Sequence, residues 1–402
     1  MRDRLGPQTN LGYCTNVHAG ADYAQTLANL DRYATAVKNQ CAPDEAMGVG
    51  LWLSASAARQ VVAEGRITEL RDWLAERGLE VFTLNGFPYG DFHSPTVKHR
   101  VYRPNWTDQD RLDYTRDLIQ ILSALIPEGG EGSISTLPLG WHDVLASDGA
   151  REAAAQQLTD LVHWLARHEL DTGRHIHLDL EPEPGCALDT SDDVVTFFKE
   201  HLLGTADERS VREYLRVCHD VCHAAVMQES QAEAIERYRA AGLRIGKVQL
   251  SSAIAAPFEQ CEGAARDQAW DQLRQFNEPR YLHQTTVRDA AGSVRFYDDL
   301  PDALNAAEAA GTIDGEWRVH FHMPLFLDRF GELETTQQQV RDCLDAIRAD
   351  DGVHHFEVET YAWNVLPPAL QPADLASGLA RELQWVIDNA PALGPTGGSE
   401  PA

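Results

Sequence analysis

The sequence predicts a single closed (β/α)₈ barrel, a ring of parallel strands each followed by a helix, with an insertion between late strands. Three observations carry this expectation. Short apolar runs alternate with amphipathic helical stretches along the chain, the order that builds a parallel sheet. The runs are apolar on consecutive rather than alternate positions, as strands buried on both faces require. About eight such units over 402 residues suit a closed ring better than an open sheet. No Gly-x-Gly-x-x-Gly follows a strand, which disfavours a dinucleotide-binding sheet.

In chain order, the apolar run Leu11–Val17 opens the ring. A stripe of Tyr23, Leu27, Leu30, Tyr33 and Val37 then predicts a helix over 22–40. Strands at Gly48–Leu53 and Glu80–Gly86 bracket a helix at Ile67–Arg77. Leu112, Thr115, Leu118, Ile119, Leu122 and Leu125 share one face of a helix at Arg111–Leu125. Ser133–Leu139 and His175–Glu181 are the next strands, joined by a helix at Ala153–His168 through Leu158, Leu161, Val162 and Leu165. Arg216–His223, Ile245–Ser251, Trp317–Met323 and His355–Tyr361 complete the strand candidates, with helices at Gln231–Ala241, Thr335–Ala349 and Asp374–Ala390.

That is one strand too many for the ring. The surplus falls near 253–316, which reads as an insertion over the barrel mouth. Within it, Arg280–Arg288 and Ser293–Tyr297 flank Asp289-Ala-Ala-Gly292 as a hairpin would. The barrel is expected over residues 1–390, and the last dozen, 391–402, are expected to be a disordered tail.

Composition narrows the function classes. An apolar share of 43% is globular, and no run approaches the roughly 20 apolar residues of a membrane span. The N-terminus, Met1-Arg-Asp-Arg-Leu-Gly-Pro7, is charged where a signal peptide needs a hydrophobic stretch. A cytoplasmic protein without membrane insertion is the expectation. The 34 basic and 62 acidic residues leave a net charge of −28, a field that repels phosphate backbones and argues against a nucleic-acid partner. Seven scattered cysteines without a Cys-x-x-Cys pair indicate neither a disulfide framework nor a zinc knuckle.

Acidic residues and histidines stand at successive strand ends, and in a barrel those ends converge on one mouth. Glu181 opens Glu-Pro-Glu-Pro184, where proline stops the ladder and turns the chain into a loop. It is a ligand or base there, or a loop cap; Glu183 is a second carboxylate at the same mouth, or a solvated charge. Asp220 and His223 form Asp-x-x-His, whose spacing lets both reach one centre; the alternatives are an anchor for backbone amides and a core histidine. His219 points to the opposite side of its strand. His320 and His322 alternate, so both face one side, and buried imidazoles need partners. Gln249 and Lys247 alternate in Lys247-Val-Gln-Leu-Ser-Ser252, and Glu359 ends the last strand. Carboxylates with imidazole and no thiolate suit Mn²⁺, Mg²⁺, Co²⁺ or Zn²⁺.

Several segments carry a closer resemblance: Leu11-Gly-Tyr-Cys-Thr-Asn-Val-His18, Asn85-Gly-Phe-Pro-Tyr-Gly90, Val101-Tyr-Arg-Pro-Asn-Trp106, His320-Phe-His-Met-Pro-Leu-Phe326 and Glu359-Thr-Tyr-Ala-Trp-Asn-Val-Leu-Pro367. With them the chain resembles the xylose-isomerase-like TIM barrels and, more narrowly, the metabolite traffic protein EboE family. The resemblance implies four metal ligands from the last four strands: Glu181, Asp220, either Gln249 or His322, and Glu359. It makes His223 a substrate-contacting residue. Gln249 stands where related epimerases carry histidine, whereas His322 has the shorter interval to Glu359.

The function expected is that of a divalent-metal-dependent isomerase or epimerase of a sugar- or cyclitol-like metabolite. Glu181 and Glu359 would be its acid and base, and Glu183, His320 and Lys247 further substrate contacts. A carrier that binds such a metabolite without turning it over is the alternative. The resemblance also implies a secondary-metabolite gene cluster, whose products, or a second copy of this chain, would be the protein partners.

Overall fold

The structure, a computed structural model, describes residues 9–204, 207–347 and 352–390. The tail expected at 391–402 lies outside the described residues. Seven barrel strands come first: β1 (Asn10–Cys14), β2 (Met47–Trp52), β3 (Leu79–Asn85), β4 (Glu131–Thr136), β5 (His175–Leu180), β6 (Leu215–Asp220) and β7 (Ile245–Leu250). Six more strands follow: β8 (Ile254–Pro257), β9 (Thr285–Arg288), β10 (Val294–Tyr297), β11 (Glu316–Val319), β12 (Arg329–Phe330) and β13 (Leu333–Thr335). The last, β14 (His355–Val358), pairs parallel with both β1 and β7 and closes the ring.

The chain is therefore an eight-stranded parallel barrel with helices outside it, as the strand–helix alternation predicts. Helices form at Tyr23–Asn29 and Thr35–Cys41, Gln109–Leu125, Asp148–Thr172 and Leu375–Asn389, with their apolar stripes on the barrel. Leu118, Ile119 and Leu122 of one, and Leu158, Leu161 and Leu165 of another, are all buried. Among the described residues no helix is long and apolar enough to cross a membrane.

The strand expected at Trp317–Met323 is not a barrel strand. Its first half is β11, which pairs antiparallel with β8 and β9 in a separate six-stranded sheet. A short apolar, β-branched run has the same local pattern in either sheet, so periodicity does not separate the two settings. The second sheet runs from residue 254 to residue 335, beyond the 253–316 expected for the insertion. The hairpin is present: β9 and β10 pair antiparallel across a turn where Gly292 takes φ +86°, a conformation glycine adopts without steric cost.

The barrel interior is polar. Lys247 and Glu357 are fully buried and form an ion pair at 2.5 Å, with Ser135 Oγ a further 3.3 Å partner of the ammonium. Gly50 makes the space, since a Cβ there would stand 1.3 Å from Glu357 Oε1.

Candidate metal centre

Three buried carboxylates meet at the C-terminal end of the ring. Glu181 directly follows β5, and its N–H donates to Thr136 O at 3.0 Å before Pro182 ends the pairing. Asp220 is the last residue of β6 and caps the helix Val221–Val226. Its Oδ1 accepts from His223 N at 3.0 Å and from Ser251 Oγ at 2.7 Å. Glu359 follows β14, and its Oε1 accepts from both Asn16 Nδ2 at 2.7 Å and Asn85 Nδ2 at 2.8 Å. One oxygen from each of Glu181, Asp220 and Glu359 lies within 4.8 Å of the others. Glu181 Oε2 and Asp220 Oδ2 are buried without a hydrogen-bond partner.

Burial and the neighbouring Glu359 and Asp220 charges push the Glu181 carboxyl well above its ordinary range. Burial, Asp220 and Glu357 do the same to Glu359. Asp220 differs: burial would raise it, but the His223 and His322 rings beside it, together with the hydrogen bonds from Ser251 Oγ and the His223 amide, hold it low. Two of the three carboxylates are thus at odds with their own charge in the absence of a cation.

Beside them stand three buried imidazoles whose tautomers are dictated by their partners. His223 Nδ1 lies 2.8 Å from the Pro182 carbonyl, and His322 Nδ1 lies 2.6 Å from the Glu359 carbonyl. His320 Nδ1 lies 2.8 Å from Gln284 Oε1, while Gln284 Nε2 donates to Glu183 and to the Pro184 carbonyl. An acceptor oxygen demands the proton on Nδ1, so each Nε2 carries a lone pair. These lone pairs converge. His320 Nε2 and His322 Nε2 are 3.2 Å apart, and Asp220 Oδ2 lies 3.8 Å from His223 Nε2 and 4.0 Å from His322 Nε2. Burial lowers His322 to about 4 and His320 well below its ordinary value, so neither ring takes up a proton at neutral pH to relieve the contact.

The donors fall into overlapping groups: Glu181, Asp220 and Glu359; Asp220, His223 and His322; Glu183, His223 and His320. Asp220 belongs to two of them. Cys222 also lies near His320 and His322, but burial and the Asp220 charge keep it a thiol.

A cleft opens above this floor, lined by Glu181, Glu183, His223, His320, His322 and Glu359 among others. Glu183 accepts from Tyr102 Oη at 2.7 Å, and burial raises its carboxyl. His320 and His322 reach the cleft from the segment after β11, not from a barrel strand as their alternation implies. Lys247 does not line the cleft; the Glu357 pair holds it deeper in the ring. Gln249 sits in register with both Asp220 and Glu357, with both side-chain amide atoms buried and unpartnered. His219 points away, to Gln231 at 2.7 Å.

Sequence reasoning passed over Asn16, Asn85 and Gln284. Asn85 ends β3 and Asn16 follows β1, so the strand-end rule finds both once amides are counted beside carboxylates. Gln284 has no such signal, because its place depends on the inserted sheet.

No family model matches the chain, and no curated protein matches it. Among solved structures it is similar to the probable 3-DHS dehydratase AsbF of petrobactin synthesis from Bacillus anthracis, at 13% identity and TM-score 0.47, over 94% of this chain and 99% of that one. It is similar to a D-tagatose 3-epimerase-like protein at 12% identity and TM-score 0.46, over 94% and 98%. A xylose isomerase-like TIM barrel protein from Mycobacterium smegmatis in complex with magnesium aligns at 12% identity and TM-score 0.45, over 96% and 97%.

Proposed function

We propose that this chain is a divalent-metal-dependent isomerase or epimerase of a polyhydroxylated small molecule, working in the cytoplasm. The observation that carries the reading is the convergence of Glu181, Asp220 and Glu359 within 4.8 Å, with unpartnered oxygens on two of them. Like charges so close in a buried site call for a cation, and the adjoining Nε2 lone pairs call for one too. The donor set fits Mn²⁺, Mg²⁺, Co²⁺ or Zn²⁺. Glu181, Asp220 and Glu359 would hold it, and His322 Nε2, its tautomer preset by the Glu359 carbonyl, would be the fourth donor. When bound, such an ion polarises a carbonyl or hydroxyl of the substrate.

The chain's own groups supply the rest. The Asn16 and Asn85 amides hold Glu359 by Oε1, leaving Oε2 to take or return a proton. Glu181, whose carboxyl burial and the neighbouring Glu359 and Asp220 charges raise, is the complementary acid. His223, with Nδ1 committed to the Pro182 carbonyl, accepts a substrate hydroxyl proton at Nε2. Glu183, oriented by Tyr102 and Gln284, receives a second hydroxyl.

The test has two readouts. Elemental analysis of purified protein should find a divalent ion that Glu181→Gln loses. Incubation with candidate polyols or ketoses in D₂O should place deuterium on carbon in the wild type alone. A protein that is metal-free at full stability would sink the reading. The finer assignment, membership of the EboE metabolite traffic family, is part of this proposal and rests on the five quoted segments. Gln249, an amide where related epimerases carry histidine, favours a second reading as a metabolite carrier; binding without deuterium uptake would select it.

A further inference from the structure

We infer that the substrate is an uncharged polyol bearing an apolar, ring-sized arm, and not a phosphorylated sugar. The inference rests on the polyol reading above and concerns what lies over its floor. One wall of the cleft is an aromatic trio from three distant segments: Phe92 after β3, Tyr281 in the insertion and Tyr361 after β14. Their ring centroids are 5.1, 5.1 and 5.0 Å apart pairwise, and Tyr361 stands 4.6 Å from His322, joining wall to floor.

Tyr281 Oη donates to the Phe92 carbonyl at 3.2 Å, so its hydroxyl is already committed to protein. Leu282 and Val101 line the same cleft. A sugar ring on the carboxylate–imidazole floor turns its hydroxyls to those groups, and an apolar arm on it would lie against this wall.

The charge pattern excludes the usual handle on a small sugar. Among the described lining residues the only lysine or arginine is Lys98, and it is ion-paired with Asp299. A phosphate would meet Glu181, Glu183 and Glu359 with no uncommitted cation from the lining to receive it, inside a chain of net charge −28. The polyol end therefore belongs to the floor, and a neutral apolar arm belongs to the wall.

Titration calorimetry on the metal-loaded full chain tests this with a panel of neutral monosaccharides and cyclitols. Each polyol is offered bare, as its phenyl glycoside or ether, and as its monophosphate. For any polyol that binds, the phenyl form should bind about tenfold tighter than the bare one, the scale of burying one ring against aromatic side chains. The monophosphate should bind more weakly than either. In Tyr281→Ala the ratio of phenyl to bare affinity should fall toward one, and the ratio corrects for any general loss of active protein. If the phenyl arm adds less than twofold, or the monophosphate binds as tightly, this inference is overturned while the polyol reading stands. If no polyol binds in any form, both fall together. Should Tyr281→Ala not fold, the wild-type series alone decides.

Discussion

Glutamine at position 181 should make the metal-free protein less sensitive to alkali. In the folded chain burial and the Glu359 and Asp220 charges hold the Glu181 carboxyl well above its ordinary value near 4.5. Between that value and the folded one, the folded chain keeps a proton that the unfolded chain has released. The contribution to stability is complete below the unfolded value and is lost as pH rises through the folded one. Each such carboxyl lowers stability by about 1.4 kcal/mol per pH unit in that window. Glu181→Gln has no proton to release there, so its stability curve should be shallower by about that slope. For each pH unit inside that window the variant should gain about 1.4 kcal/mol on the wild type. Urea unfolding in EDTA at half-unit pH steps, with the m-value checked for constancy, reads this directly. A saturating divalent ion should reverse the order: at a hundredfold excess over Kd it stabilises the wild type by about 2.7 kcal/mol, and the variant by less. Parallel wild-type and variant curves in EDTA would refute the account of Glu181 as a carboxyl strained by its neighbours.

Four further outcomes follow from the same geometry. Lys247→Met leaves Glu357 buried without its cation and should cost about 3–5 kcal/mol in denaturant unfolding, most of it recovered in Lys247→Met/Glu357→Leu. Gly50→Ala drives a Cβ into Glu357 Oε1 and should cost about 1–3 kcal/mol or more, visible as a lowered Tm. His322→Ala should reduce bound metal by elemental analysis more than Gln249→Ala does; the reverse order would transfer the fourth ligand to the amide. Glu382, buried and accepting from Leu325 N and Thr360 Oγ1, is raised by burial to about 8. Its share of stability is full below about pH 4.5 and lost on the way to pH 8, so Glu382→Gln should be the more stable protein in a pH 8 melt.

The strand ends were the legible part of this chain. Apolar runs capped by Glu181-Pro182, by Asp220 and by Glu359 mark where parallel strands stop, and a closed ring brings such ends together. The same rule would have found Asn85 and Asn16 had amides been weighed with carboxylates. The role expected of Lys247 shows the limit of reading one strand at a time. Its alternation with Gln249 is visible in the sequence, but the partner that draws it below the cleft, Glu357, lies on a strand 110 positions later.

By itself the sequence determined the ring, its helices and the carboxylates on its rim, because strand length, apolar pattern and proline stops are local properties. Tertiary structure alone decided that His320 and His322 arrive from the segment that follows an antiparallel strand outside the ring. It also decided that Gln284 and two backbone carbonyls set all three imidazole tautomers, and that Phe92, Tyr281 and Tyr361 form one wall. Each of these depends on which distant segments pair, and a short β-branched run carries no record of whether its neighbours lie parallel in a barrel or antiparallel in a second sheet.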